Sequence, residues 1–296
     1  MKPPAFEYRR PASTEEALAL LAEHPEAKPL AGGQSLIPAM NFRLAAPEML
    51  IDLNAIPGLA GITPLSGGGL RIGAMTRHRA LETGSAVAGL APLLAETMPF
   101  IAHPQIRNRG TLGGSLAHAD PAAELPAVMV ALGATLVLTS RAGERRLPAG
   151  EFFTGLFATA LAPGELVTAI ELPAPPARSG SAFIELARRH GDYALVGVAV
   201  SVSLGADGTC AHASVALFSV GEGPVVSPGA AAVLQGAEPG PEAIRAAAAA
   251  IDRDIDPPSD IHASAAYRRN LAQVLTGRAL ARAFERARIS ASPTEQ

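Results

Sequence analysis

The 296 residues carry a formal net charge of -3, 48% apolar side chains, a single cysteine and no tryptophan. That length suits two or three compact domains, and the mild negative charge excludes a nucleic-acid binder, which needs a strongly basic face. One cysteine excludes an internal disulfide framework and an all-cysteine iron–sulfur site, and the seven histidines contain no H-x-x-x-H pair, so metal chemistry is expected elsewhere.

Met1-Lys2-Pro3-Pro4 has no apolar core of the secretory kind, and no apolar run approaches the ~20 residues that cross a bilayer, so a cytoplasmic chain is expected. Ser13 with Glu16 forms a capping box that opens a helix with Ala17, Leu18 and Leu21 on one face. Strands are predicted at 6–8, 28–31 and 49–53, giving a βαβ-like unit over about 1–53. Beyond it, Gly67-Gly68-Gly69 turns into a strand at 70–73, and 92–102 reads as a helix. Asp120 is placed as the cap of a further helix, with Pro121 in its first position and Glu124 in its first turn. Strands follow at 135–139 and 166–172.

The proline-rich stretch from Pro173 to Gly180 marks a domain boundary, because proline continues neither ladder nor helix. After it come antiparallel strands at 182–187, 194–204 and 209–217, the last two joined by an Asp207-Gly208 turn. Helices are predicted at 242–251 and 264–288. The second carries Arg268, Arg269, Arg278, Arg282, Arg286 and Arg288, either as a solvated face or as a docking surface for a partner.

Two glycine-rich loops stand out: Leu30-Ala31-Gly32-Gly33-Gln34-Ser35-Leu36 and Arg109-Gly110-Thr111-Leu112-Gly113-Gly114-Ser115-Leu116. Glycines let a backbone approach a ligand closely, and consecutive N–H groups can then cradle an anion. Ser35, Thr111 and Ser115 add hydroxyls, and two such loops suit a diphosphate. Neither loop has the spacing of a dinucleotide fingerprint or a P-loop, and a glycine pair alone more often marks a turn.

The pairing becomes specific in its surroundings. Gly32-Gly33-Gln34-Ser35-Leu36-Ile37-Pro38, Ile51-Asp52-Leu53-Asn54, Ile72-Gly73-Ala74-Met75-Thr76, the run from Gln105 to Pro121, Phe152-Phe153-Thr154-Gly155 and Arg188-Arg189-His190-Gly191-Asp192-Tyr193 together span the chain. In these motifs the sequence resembles the FAD-binding medium subunits of molybdenum hydroxylases of the carbon monoxide dehydrogenase and xanthine oxidase class. The resemblance implies an α+β fold: a two-part FAD-binding domain of the vanillyl-alcohol-oxidase (PCMH) type over 1–177, divided near 53 and 54, then a smaller α/β C-terminal domain over 178–296. It implies that Ala31, Gly32, Gly33, Gln34, Ser35 and Leu36 form one wall of the FAD diphosphate site, and Thr111, Gly113, Gly114 and Ser115 the other. Glu124 maps to the acid serving the adenosine end, where family members often carry Asp. Gln34 stands where close relatives have histidine. Tyr193 maps to the aromatic that covers a flavin face, and Ile101 and His103 are expected near the ring system.

The implied role is electron transfer: electrons arrive from [2Fe-2S] clusters on a small subunit, substrate is oxidised at the molybdenum cofactor of a large subunit, and an outside acceptor takes the electrons. Two three-subunit units are expected to pair as a heterohexamer. No catalytic acid, base or metal ligand is assigned to this chain. A stand-alone flavin oxidoreductase would instead be reduced by substrate without partners, and a phosphate-binding module without flavin would be colourless.

Overall fold

The computed structural model describes residues 1–291, so residues 292–296 of the expected C-terminal domain lie outside the described residues. The chain begins β1 (Glu7–Arg9), α1 (Thr14–Glu23), β2 (Lys28–Leu30), α2 (Leu36–Asn41) and β3 (Met49–Asp52). β3 lies between β1 and β2 and runs parallel to both. Strands that run parallel need long crossovers, and α1 supplies the one from β1 to β2, laying Ala17, Leu18 and Leu21 against Met49 and Ile51 of β3 between them. The expected cap forms with one difference: the Ser13 hydroxyl accepts from the Glu16 N–H at 3.2 Å, while the Glu16 carboxylate reaches past the cap residue to the Ala12 N–H at 2.7 Å.

A second unit follows with β4 (Ile62–Pro64), β5 (Leu70–Gly73) and six short helices. These are α3 (His78–Thr83), α4 (Ser85–Leu90), α5 (Pro92–Thr97), α6 (Pro104–Arg107), α7 (Leu112–His118) and α8 (Glu124–Ala131). Then come β6 (Thr135–Ser140), β7 (Gly143–Pro148), α9 (Ala149–Phe152), β8 (Phe153–Gly155), β9 (Ala158–Thr159) and β10 (Leu166–Leu172). β4, β5, β10, β6 and β7 form an antiparallel sheet in that order. Ile72, Leu136 and Ile170 of this sheet share a core with Leu94, Leu112, Leu125 and Met129 of the helices.

Two expected helices differ. The one predicted over 92–102 stops at Thr97 and tightens into a 3-10 turn over Met98–Phe100. Pro99 offers no N–H to continue the ladder, and Ala102 takes a positive φ of 45°. Asp120 does not cap α8. Its carboxylate accepts the Ala122 N–H at 2.9 Å in a local turn that contains Pro121, and Ala123 takes the cap position before Glu124. An Asp oxygen serves both arrangements by accepting an N–H just downstream, and the sequence alone does not separate them.

The C-terminal region contains β11 (Ser179–Ala187), β12 (Ala194–Leu204), β13 (Cys210–Phe218), β14 (Val225–Val226), α10 (Pro228–Leu234), α11 (Pro241–Ala250) and α12 (Ala265–Ala291). The strands form an antiparallel sheet in sequence order. Side chains alternate across a strand, so Val196, Val198, Val200 and Val202 of β12 pack with Leu275, Leu280 and Phe284 of α12. The opposite face sends Phe183, Ala199, Ala216 and Phe218 into the core of the second unit. One sheet therefore seals both layers.

Five of the six arginines named on α12 bond to other parts of the protein, while Arg278 stands exposed. Arg268 is 5% exposed and bonds the Leu195 carbonyl and Asp260; Arg269 pairs with Asp252 at 3.3 Å; Arg282 and Arg286 reach Glu96 of α5; Arg288 donates to the Pro239 carbonyl. Among the described residues, no helix is long and apolar enough to cross a membrane.

Candidate functional site

The first glycine loop leaves β2 and enters α2. Gly33 sits at φ +70°, a conformation that L side chains rarely adopt. Among the described residues, the N–H groups of Gly32, Gly33, Gln34, Ser35 and Leu36 have no intramolecular acceptor. They leave a run of five donors for an external ligand. Ala31, Gly32, Gly33 and Gln34 line a cavity of about 480 Å3, together with Tyr8, Ile37, Asp52, Asn54 and Arg109. Ser35 is exposed and Leu36 half-buried at its edge.

The second loop closes against the first. A Cβ added at Gly32 would lie 2.4 Å from the Arg109 carbonyl oxygen and 2.8 Å from the Gly110 Cα, so only glycine allows this approach. The interior of the second loop is committed to the protein itself. Leu112 and Gly113 donate to the carbonyls of Thr76 and Ala74 at 3.0 and 2.8 Å, Ser115 to the Thr111 carbonyl at 3.1 Å, and Gly114 to the Thr111 hydroxyl at 3.1 Å. Thr111 thus caps α7. Gly113 is buried against Ala74, where an added Cβ would meet the Ala74 Cβ at 2.5 Å. Gly114 and Ser115 remain half-buried, and none of Thr111, Gly113, Gly114 and Ser115 lines the cavity.

His78 supports this second loop from below. It is 6% exposed, its Nε2 lies 3.0 Å from the Thr111 carbonyl oxygen, and burial pushes its pKa down to about 4. The imidazole is therefore neutral and donates to that carbonyl through Nε2–H.

The remaining expected residues gather at the seam between α8 and the C-terminal sheet. Glu124 is 8% exposed, and burial, reinforced by Asp120, pushes its carboxyl up to about 7. Its neighbour Glu185 on β11 is raised to about 8 by burial and by the charge of Glu124. The Glu185 Oε2 is buried with no hydrogen-bond partner among the described residues. Tyr193 exposes 69% of its surface, yet burial around its phenol and the nearby Asp120 and Glu124 still raise its pKa. Gly191 in the same loop packs on His103, a Cβ there lying 2.9 Å from the His103 Cε1, so this loop folds over the start of α6. Ile101 is 8% exposed, and its carbonyl accepts from Arg107 at 2.9 Å. Arg107 also grips Glu82 through two bonds of 3.0 Å and is a buried structural group, whereas Arg109 is exposed on the cavity wall.

Sequence reasoning missed Tyr8, Asn54 and Arg77 as site residues. Arg77 donates to the Arg109 carbonyl and to Asn54, and Asn54 donates to the Ala31 carbonyl at 2.9 Å. The family-like motif that ends at Asn54 held one of the three, and no motif held Tyr8 or Arg77.

Residues 4–175 match the profile of the FAD binding domain in molybdopterin dehydrogenase, and residues 181–283 that of the CO dehydrogenase flavoprotein C-terminal domain. The chain belongs to this flavoprotein family. Its cofactor is FAD, and it is an oxidoreductase subunit of the medium-chain type. It is 44% identical to the 6-hydroxypseudooxynicotine dehydrogenase complex subunit alpha of Paenarthrobacter nicotinovorans, covering 97% of both chains. It is 42% identical to the carbon monoxide dehydrogenase medium chain of Afipia carboxidovorans, covering 97% of this chain and 100% of that one. Among solved structures, carbon monoxide dehydrogenase from Hydrogenophaga pseudoflava superposes with a TM-score of 0.94 at 42% identity, covering 97% of this chain and 99% of that one. Quinoline 2-oxidoreductase from Pseudomonas putida 86 superposes with a TM-score of 0.91 at 40% identity, covering 99% of this chain and 100% of that one. The medium-chain fold is therefore the two-part FAD-binding domain followed by the flavoprotein C-terminal domain.

The residues present suit this cofactor. A diphosphate is an acceptor of hydrogen bonds, and the first loop offers unpaired N–H donors where Gly32 and Gly33 hold no side chain in the way.

Proposed function

We propose that this flavoprotein subunit relays electrons from iron–sulfur clusters of a small partner subunit to an acceptor outside the complex, while a large molybdopterin-bearing subunit oxidises the substrate. Within this subunit, one domain spans 1–177 and a second spans 178–296. Two three-subunit units form a heterohexamer in the cytoplasm. The observation that carries this reading is the array of free N–H groups from Gly32 to Leu36 beside the Arg109 wall. Bound FAD supplies one-electron and two-electron redox chemistry that amino-acid side chains lack.

The chain's own work is to bind and orient. Gly32, Gly33, Gln34, Ser35 and Leu36 donate backbone N–H groups to the diphosphate, with Ala31 carrying the strand into the turn. Arg109 adds positive charge at the rim, and Arg77 stands behind it. The second loop contributes the half-buried edge of Gly114 and Ser115, with Thr111 and Gly113 fixing its shape. Glu124 accepts from the adenosine end, while Tyr193 covers the flavin ring near His103 and Ile101. No side chain acts as an acid or base on the substrate, which is met on another subunit.

The test is a reduction experiment. The isolated chain should be yellow and stay oxidised when mixed with a hydroxylase substrate. The same chain co-expressed with its large and small partners should bleach on substrate addition. A colourless chain would overturn the flavin assignment, and bleaching of the isolated chain would favour a self-sufficient oxidoreductase.

A further inference from the structure

The two glycine loops meet through backbone, and something must hold them at a set distance. A continuous polar link runs between them. Asn54 Nδ2 donates to the Ala31 carbonyl at 2.9 Å on the first loop. Arg77 donates one arm of its guanidinium to Asn54 Oδ1 and the other to the Arg109 carbonyl on the second loop. Behind them, the Asp52 carboxylate accepts the Asn54 N–H at 2.9 Å, and its second oxygen accepts the Tyr8 hydroxyl. Burial opposes ionisation of Asp52, but the hydrogen bonds from Tyr8 and Asn54 prevail and hold its carboxyl below the usual range. The same Asp52 carboxylate also accepts from the Asn54 side-chain amide, which fixes that amide in one orientation.

The chemistry of the link is directional. A guanidinium holds donors on separate nitrogens in a fixed planar fork that spans two acceptors on different segments, whereas a lysine ammonium donates from a single atom and lacks that rigid geometry. Arg77 keeps this position although burial and the neighbouring Arg109 disfavour its charge. It is spent on two carbonyl-type acceptors, with no carboxylate in direct contact among the described residues.

We propose that Asn54 and Arg77 form a positioning clamp that sets the separation of the two glycine loops and thereby the grip on the FAD diphosphate. The clamp rests on the flavin reading above and adds to it the residues that shape the cradle. Asn54 and Arg77 do not belong to the hydrophobic cores, so their replacement leaves the packed elements in place.

FAD titrations into the apo form of the full chain test this directly. Asn54→Ala and Arg77→Met should each raise the FAD Kd about tenfold, the loss expected for a charge-assisted hydrogen bond. Because each breaks the same link, the double variant should bind about as well as the weaker single variant. Arg77→Lys, which keeps the charge, should resemble Arg77→Met. The phosphorus resonances of bound FAD should shift in Asn54→Ala, a change that a purely global loss of stability would not produce. Circular dichroism of each apo variant checks that the fold is intact. Wild-type affinity in both single variants, additive losses in the double variant, or wild-type behaviour of Arg77→Lys would each overturn the clamp. A wild-type chain that takes up no FAD would instead bring down the parent reading along with it.

Discussion

The two glycine loops have nearly the same composition and opposite uses. The loop from Ala31 to Leu36 keeps its N–H groups unpaired and faces a cavity, whereas the loop from Gly110 to Ser115 spends its N–H groups on the protein. Glycine serves the first as a left-handed turn and an unobstructed wall, and serves the second by letting α7 press against Ala74. Glycine content alone therefore does not identify a ligand surface. What identifies it is the balance of donors left over once the chain has satisfied itself.

The contrast can be broken most forcefully at Gly113. Gly113→Ala inserts a methyl 2.5 Å from the Ala74 Cβ and 2.9 Å from its carbonyl oxygen, in a buried site. Overpacking of this kind costs about 1–3 kcal/mol, so urea denaturation of the apo chain should show a lower midpoint. FAD affinity should follow only as far as α7 is displaced.

Gly33→Ala is the counterpart. Its φ of +70° strains any L side chain, and the new methyl would stand 3.1 Å from Ile37 Cγ1. The conformational penalty is about 1–2 kcal/mol. Here the principal readout should be flavin binding, with the FAD Kd rising about tenfold as the donor array turns away. If Gly113→Ala weakened binding more than Gly33→Ala while leaving stability intact, the assignment of roles would be reversed.

A third measurement sharpens the contrast between the cradle and the seam. Glu124 and Glu185 hold their protons to about 7 and about 8, against 4.5 for a free glutamate. In the folded chain they stay protonated while the unfolded chain has already released those protons. Their contribution is therefore complete below about pH 4.5 and is lost as pH rises through 7 and 8. Glu185→Gln, neutral at every pH, should melt above the wild type at pH 8 and match it near pH 4.5. A melting curve that falls equally steeply in both proteins would show that the Glu185 carboxyl is already ionised in the fold.

The smallest effect belongs to the pair that joins α12 to α5. Glu96 meets Arg286 at 3.2 Å and Arg282 at 3.5 Å, and both arginines are largely exposed. Exposed pairs contribute roughly 0–1 kcal/mol. Glu96→Gln should lower stability by less than about 1 kcal/mol and, with it, the salt dependence of melting.

Local chemistry was legible from the sequence. Ser13 and Glu16 announced α1, the run 194–204 announced a strand, and Asp207-Gly208 announced the hairpin that Gly208 turns at φ +84°. Each of these signals acts over a few residues, through a cap, a periodicity or a permitted φ. The medium-chain motifs likewise carried the family. Where one residue type serves two local structures, the reading failed: Asp120 folds a turn where a helix cap was expected, and Pro99 ends a helix expected to continue.

The sequence by itself therefore determined the main strands, the first and last helices, the family and the two glycine loops. Tertiary structure alone decided which loop keeps free donors, which arginines turn inward and which carboxyl lies buried without a partner. Those outcomes depend on groups far apart in the chain, such as Arg77 with Arg109 and Glu185 with Glu124. Hydrogen-bond satisfaction and desolvation are properties of the packed whole, set only when distant segments exclude water together.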